Sequence, residues 1–233
     1  MPKIMGILNV TPDSFSDGGL YLEPEAAVSQ ARALIAAGAD IIDVGAESTR
    51  PGAEPISLQE ELDRLLPVLW ALKKLKCPLS VDTYKPEVAE QVFKTGIDIL
   101  NDVGGLHEAM QRVVRRHQWR NTYQTVLMHR GPATAKQLGS WFEKRLEGLR
   151  EKGIENIILD PGFGFNKFPV ENWGLINRIN EWRVDHLPVL LGFSRKSFHD
   201  GNRKFITREL IEIALPQLNE EDILRLHDPS LVP

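Results

Sequence analysis

Ile157-Ile158-Leu159-Asp160-Pro161-Gly162 runs three branched apolar residues straight into a carboxylate and then into a turn. An apolar run with no polar alternation is the pattern of a strand buried on both faces, as in a parallel sheet. Seven further short runs share it: Ile4–Leu8, Ile41–Val44, Leu79–Val81, Ile97–Leu100, Thr125–Met128, Val189–Leu191 and Ile223–Leu226. The segments between them read as helices. Pro24 to Ala37 places Ala27, Val28, Ala31, Leu34 and Ile35 at helical spacing, with Gly38 as a stop. Ser57 followed by Glu60 is a capping-box pattern ahead of Leu62, Leu65 and Leu66. Pro86 to Lys94 and Trp141 to Lys152 end before Gly96 and Gly153. Strands alternating with helices imply parallel pairing through right-handed crossovers. Eight such units predict an α/β fold, a (β/α)8 TIM barrel in one domain over residues 1–233. A doubly wound open sheet is the alternative.

The strand ends favour the barrel. Polar residues stand where each run stops: Asn9, Asp43, Asp82, Asn101 with Asp102, His129, Asp160, Ser194 with Lys196, and Arg225 with His227. A barrel gathers all eight ends at one mouth, where active sites of this fold lie. An open sheet spreads them along an edge.

Composition narrows the class. With 42% hydrophobic residues and a net charge of only -4, the chain is not disordered. No segment approaches the roughly 20 apolar residues of a membrane span. The start, MPKIMGILNV, lacks the apolar core and cleavage site of a signal peptide and reads as a first strand. The single cysteine, Cys77, excludes an internal disulfide and a Cys-based zinc site and reads as an inert thiol. These features predict a cytoplasmic protein, and the mild acidity argues against nucleic-acid binding.

Asp82 and Asp160 need solvation or a partner, because a bare buried carboxylate is costly. A flat heterocycle with an amino group beside a ring N–H satisfies a carboxylate through two parallel hydrogen bonds. Asn101 both donates and accepts, which suits such a ring. Helix capping, with Asp82 over the helix near Pro86, is the structural alternative. Arg225 and His227 alternate on the last strand and so share a face. Two buried cations call for an anion, and barrels often bind phosphate near their last strands. Pairing with Asp222 or Asp228 is the alternative. The segment Asn9 to Gly19 is a long polar loop that could act as a lid, and its Asn9 and Asp17 oxygens suit Mg²⁺. Asp160 to Phe165 has two glycines but is neither a P-loop nor a dinucleotide fingerprint.

Taken together, Gly6–Gly19, Gly45–Gly52, Ser80-Val81-Asp82-Thr83, Asn101-Asp102-Val103, Leu127-Met128-His129, Leu159–Phe165, Gly192 with Ser194-Arg195-Lys196-Ser197, and Arg225-Leu226-His227-Asp228 resemble the dihydropteroate synthase family of pterin-binding barrels. The stretches keep the family's order over nearly the whole chain. The resemblance implies condensation of 6-hydroxymethyl-7,8-dihydropterin diphosphate with p-aminobenzoate in folate synthesis. It implies that Asp82, Asn101, Asp160 and Lys196 line a pterin pocket with Met128 beside the ring, and that Asn9, Arg225 and His227 bind diphosphate. Mg²⁺ would sit with Asn9 and Asp17. Thr49, Arg50, Pro51, Phe15, Phe165, Lys196 and Ser197 would surround p-aminobenzoate. The implied catalytic set is Asn9, Asp82, Lys196, Arg225 and His227. No nucleophile–base pair is evident or needed, since the protein's task is to stabilise a leaving diphosphate and exclude water. Sulfonamides would compete with p-aminobenzoate.

The chain departs from the family in length. Lys196 and Arg225 lie 29 positions apart, fewer than is usual, and the helix near Thr207 to Leu215 reads as shortened. After Asp228 only Pro-Ser-Leu-Val-Pro remains, where the family has a last helix. An uncovered eighth strand would expose apolar surface or bury it against a partner. This predicts a homodimer through Ile211, Ile213, Leu215, Leu218 and Leu224. The cuts spare every implied site residue, which favours an active synthase. A non-catalytic pterin-binding paralogue and a pterin-barrel methyltransferase are the competing readings. Arg112, Arg115, Arg116 and Arg120 read as a solvated helix face, with a docking patch as the alternative. The five tryptophans read as packing.

Overall fold

The computed structural model describes residues 1–11, 24–48, 54–118, 123–196 and 203–233. All eight apolar runs form strands: β1 (Lys3–Asn9), β2 (Ile41–Gly45), β3 (Leu79–Asp82), β4 (Ile99–Asp102), β5 (Gln124–Met128), β6 (Ile157–Asp160), β7 (Leu190–Leu191) and β8 (Ile223–Leu226). β4 starts at Ile99 rather than Ile97, and the Asp98 carboxylate just ahead of it accepts from the Leu79 N–H at 2.8 Å. The strands are parallel neighbours in the order β6-β5-β4-β3-β2-β1-β8-β7. A parallel bridge from Leu159 to Val189, with Leu159 N–H donating to Pro188 O at 2.9 Å, joins β6 to the start of β7 and closes the ring. Closure in sequence order excludes the doubly wound sheet, in which strand order reverses.

Eight α-helices are described: α1 (Pro24–Ala36), α2 (Leu58–Leu72), α3 (Pro86–Val92), α4 (Glu108–Gln118), α5 (Ala135–Arg150), α6 (Pro169–Ile176), α7 (Ile179–Trp182) and α8 (Arg203–Ala214). Gly38, at φ 105°, follows α1, a conformation that favours glycine. The predicted cap of α2 is half formed. Ser57 Oγ accepts from Glu60 N–H at 3.1 Å, but the Glu60 carboxylate turns to Arg64 instead of back to Ser57. The reciprocal box occurs at α5, where Thr134 and Gln137 each cap the other's backbone N–H. It starts that helix six residues before the expected Trp141. α8 begins at Arg203 and ends at Ala214, ahead of Pro216, so it starts four residues before the predicted Thr207.

The expected bare face on β8 does not exist. Leu224 and Ile211 are fully buried within the chain's own core. The last residues supply part of the cover, because a turn at Pro229–Leu231 folds back against β1 and buries Leu231. Ile213, Leu215 and Leu218 are partly buried against the same core. Among the described tryptophans, Trp182 is fully buried with Nε1 donating to Leu175 O at 2.9 Å, Trp141 and Trp173 pack against the core, and Trp70 is exposed beneath Lys73. Trp119 and Arg120 lie outside the described residues. Arg112 and Arg116 are solvated and pair with Glu108 and Glu90, as expected of a helix face in water. Cys77 is half-buried, donates to Asp40 O, and burial pushes its thiol pKa up, which favours the protonated thiol over the thiolate. No helix of the described residues is long and apolar enough to cross a membrane.

Candidate active site

One layer of side chains explains why the polar residues meet. Met5, Ile41, Ile99, Val126, Ile158, Leu190 and Ile223, one from each of seven strands, form a buried cluster separate from the main core. This is the plug of the barrel. Side chains two apart on a strand share a face, so the residue two places on from each plug residue also points inward, one layer nearer the mouth. Those positions are Asp43, Asn101, Met128, Asp160, Gly192 and Arg225, with Ile7 on β1. On β3 the buried Ser80 takes the plug position and Asp82 the next. An apolar floor therefore carries a ring of three carboxylates, an amide and a guanidinium.

Arg225 is the hub of that ring. Its Nε donates to Asp43 Oδ2 at 2.6 Å and one terminal nitrogen to Asp82 Oδ2 at 2.8 Å. Asn101 Nδ2 donates to the same Asp43 oxygen at 3.2 Å. The anion that Arg225 required is thus first of all a pair of internal carboxylates, neither of them Asp222 or Asp228. Asp222 instead binds Arg183 at 2.7 Å. Nor is Asp82 a helix cap, because α3 starts from Lys85 with no side-chain cap. Burial pushes the Asp82 carboxyl up to about 7, Arg225 opposes this, and Asp43 adds to it. The two carboxylates raise the Arg225 pKa in turn, so it stays charged. Three acceptors in this cluster are buried with no hydrogen-bond partner: Asp43 Oδ1, Asp82 Oδ1 and Asn101 Oδ1. Unmatched buried acceptors are costly, and a flat ligand bearing N–H groups would satisfy them.

Asp160 ends β6 and is buried, its Oδ1 accepting from Gly162 N–H at 2.7 Å. Burial raises its pKa, while Lys196, the Gly162 N–H, Lys167 and Arg225 hold it down. Met128 is its register partner on β5. Lys196 donates to Phe163 O at 2.6 Å and stands 4.4 Å from the Phe165 ring centre. Burial lowers the Lys196 pKa to about 8, with Asp160 opposing. His227 comes just after the end of β8, its Nδ1 3.1 Å from Ser194 Oγ. Asn9 ends β1 opposite Gly45, and Gly45 in turn pairs with Asp82.

Residues 5–216 match the family described as pterin binding enzyme. A dihydropteroate synthase of Bacillus subtilis (strain 168) is 43% identical over 240 residues, covering 97% of this chain and 83% of the relative. The structure of Xanthomonas albilineans dihydropteroate synthase with 4-aminobenzoic acid superposes with a TM-score of 0.87 at 34% identity, over 99% of this chain and 89% of that one. Yersinia pestis dihydropteroate synthase in a sulfonamide drug complex gives 0.87 at 35% identity, over 99% and 90%. This chain belongs to the pterin-binding enzyme family.

Within this pterin-binding barrel the structure brings together Asp82, Asn101, Asp160, Lys196, Met128, Phe165 and Arg225, with Asn9 and His227 at the mouth. Phe15, Asp17, Thr49, Arg50, Pro51 and Ser197 lie outside the described residues. Of the implied magnesium pair, Asn9 is therefore the described member. Its amide oxygen is a hard donor that suits Mg²⁺, an ion that commonly completes its shell with water and substrate phosphate. Among the described residues no group of three or more His, Cys, Asp or Glu could hold a metal by itself.

Asp43, read from the sequence as a strand-end residue, instead sits in the middle of β2 because that strand runs on to Gly45, and nothing local reveals its hold on Arg225 and Asn101. A second cluster escaped the sequence reading entirely. Lys85, three residues beyond Asp82, binds Glu47, Glu61 (2.7 Å) and Ile56 O (2.7 Å), and Glu47 also accepts from Ile56 N–H and Tyr84 OH. The cluster ties the end of β2 to α2 and α3. Lys85→Met removes the cation from two buried carboxylates, and the expected loss of unfolding free energy is about 3 kcal/mol. Urea unfolding checks this, and an unchanged midpoint would show the pair to be unimportant.

Proposed function

We propose that this chain is a dihydropteroate synthase, joining 6-hydroxymethyl-7,8-dihydropterin diphosphate to p-aminobenzoate to give 7,8-dihydropteroate and diphosphate in folate synthesis. The observation that carries the reading is the set of buried acceptors with unused lone pairs, on Asp82 and Asn101 beside the Asp160 carboxylate, above an apolar floor. A pterin supplies what they lack: an amino group beside a ring N–H, in a flat body that Met128 can contact.

The bond from the pterin methylene carbon to the diphosphate oxygen breaks, and the oxygen keeps the electron pair. The electron-rich ring spreads the positive charge left on carbon. The amine of p-aminobenzoate forms the new C–N bond and releases a proton. Arg225 and His227 face the departing oxygens, and the ring of carboxylates favours a positively charged pterin over a neutral one. Preoriented charges that do not reorganise during the step are the main source of such catalysis. Mg²⁺, held by Asn9 and Asp17, would supply further positive charge to the leaving group. Lys196, close to the Phe165 ring and in the field of Asp160, would act at the join of the two substrates. The p-aminobenzoate set extends to Phe15, Thr49, Arg50, Pro51 and Ser197, and sulfonamides compete there.

Formation of dihydropteroate by the purified chain with Mg²⁺ present is the expected result. Tight pterin binding without turnover would support a non-catalytic paralogue instead, and turnover of methyltetrahydrofolate a methyltransferase. The intact Ser194-Arg195-Lys196 turn, with Lys196 near both carboxylates, favours the synthase. The reading includes a cytoplasmic homodimer. With Leu224 and Ile211 buried, the partly buried Ile213, Leu215 and Leu218 are what is left of its predicted face. Sedimentation at about micromolar concentration, the range of moderately tight association, tests it, and a clean monomer removes the dimer from the proposal.

A further inference from the structure

We infer that Lys167 is a positioning residue for pterin recognition, gripping the turn after β6 so that the Asp160 carboxylate is presented to the ring in one fixed orientation; the inference rests on the proposed pterin site. Lys167 is not among the residues that the family resemblance implies for substrate binding.

The geometry is specific. An ammonium has three N–H donors. Lys167 Nζ directs them at His129 O (3.2 Å), Gly162 O (3.2 Å) and His129 Nδ1 (3.4 Å). His129 follows β5, and Gly162 lies in the turn that follows β6, so one side chain ties two neighbouring strand ends. The two backbones are already in close approach. Gly162 sits at φ 67°, and a Cβ there would fall 2.0 Å from His129 O. With two carbonyl oxygens converging on this crossing and Gly162 fixed in its conformation, a cation between them removes their mutual repulsion. Burial and the Lys167 charge hold His129 down to about 4, so its ring is neutral at pH 7 and Nδ1 can accept.

The link to the pocket runs through one residue, Gly162, by its two flanking peptides. Lys167 holds the Gly162 carbonyl, and the Gly162 N–H donates to Asp160 Oδ1. The next carbonyl, Phe163 O, is held by Lys196 from within the site. Two lysines therefore grip successive carbonyls of the turn that orients Asp160. The charged groups acting on Lys167 are Asp160, Glu171 and Lys196, and the first of these is the carboxylate it helps to orient. A carboxylate that must meet two parallel N–H donors loses both bonds on a small rotation, and misplacements of about 1 Å are known to cost up to about a hundredfold.

Lys167→Met keeps the length and apolar stem of the side chain and removes the charge. Titration with 6-hydroxymethylpterin is expected to show a dissociation constant raised about tenfold, while the KM for p-aminobenzoate stays within about twofold. Lys167→Arg, which can still bridge two carbonyls, should recover part of the loss and serves if the methionine variant fails to fold. A second readout needs no ligand: hydrogen exchange in the segment containing Gly162 should accelerate in Lys167→Met and return toward the parent rate in Lys167→Arg. Unchanged pterin affinity, or equal losses for both substrates, would overturn the inference. If the parent chain bound no pterin, the proposed function would fall, and the exchange result would decide the positioning role alone: unchanged exchange at Gly162 overturns it.

Discussion

Asp160→Ala is expected to lower pterin affinity by about a hundredfold or more, since each charge-assisted hydrogen bond contributes about 1.5–3 kcal/mol. The carboxylate is buried at the end of β6, and among the described residues it accepts one hydrogen bond, from Gly162 N–H. A carboxylate has about four lone-pair positions, so the remainder can serve a ligand's paired donors. Alanine removes all of them and leaves the Gly162 N–H unpartnered as well. Asp160→Asn separates the two effects. It keeps the shape and can keep the Gly162 bond, but it turns one acceptor into a donor facing the donors of the ring. If orientation by Gly162 were the whole story, the asparagine variant would bind normally; if paired acceptance is what matters, both variants fail. Because burial raises the Asp160 pKa, pterin binding should also weaken in mild acid, as the carboxylate takes up a proton at a pH above its ordinary range. Calorimetry reads each outcome, and micromolar affinity retained by Asp160→Ala would contradict the site.

Arg225→Ala has a second large effect, of a different kind. The sequence reading makes Arg225 a diphosphate ligand, and the expected result is a greater loss for the diphosphate substrate than for a pterin without phosphate. The structure adds a cost in stability. Arg225 is the counter-ion of Asp43 and Asp82, and breaking a buried pair by removing one partner costs about 3–5 kcal/mol. The sign of the pH dependence follows. Without the guanidinium the Asp82 pKa rises further above 7, so across the window from an unfolded carboxylate near 4 upward the folded variant binds more protons than the unfolded chain. Its stability therefore falls as pH rises, and because Asp82 of the parent already takes up its proton near pH 7, the deficit against the parent grows as pH rises above about 7 and is smaller and level below it. Equal losses for the two ligands, or a deficit independent of pH, would refute this account.

The two substitutions probe one architecture. A strand two residues longer than its plug position presents its next inward side chain to the mouth, and the chemistry depends on what stands there. On β6 that is Asp160, on β4 Asn101, on β3 Asp82, on β8 Arg225. Just past β7 it is Gly192, where a Cβ would lie 3.9 Å from the Arg225 side chain. The apolar layer below keeps water out of the floor, so each charge above it acts in a medium of low polarity.

Strands, helices and mouth residues were legible because each depends on spacing along the chain. A run such as Ile157-Ile158-Leu159 has one stable environment, and a period of two decides that Ile158 and Asp160 face the same way. Helix starts were less legible: α5 begins at a Thr-Gln box that stood in plain view, whereas Ser57 and Glu60 had the right spacing and formed only half a box because Arg64 drew the glutamate away. The uncovered face predicted for β8 failed because the last few residues fold back onto β1, an event that no periodicity encodes. Above all, the pairing of charges belongs to the closed barrel. Arg225 meets Asp43 and Asp82 across 182 and 143 residues, and Lys167 reaches His129 across 38. Local pattern determines which side chains point inward; only the closing of the ring, with its fixed stagger, determines which of them are near enough to neutralise one another, because attraction between charges depends on distance in space and not on separation along the chain.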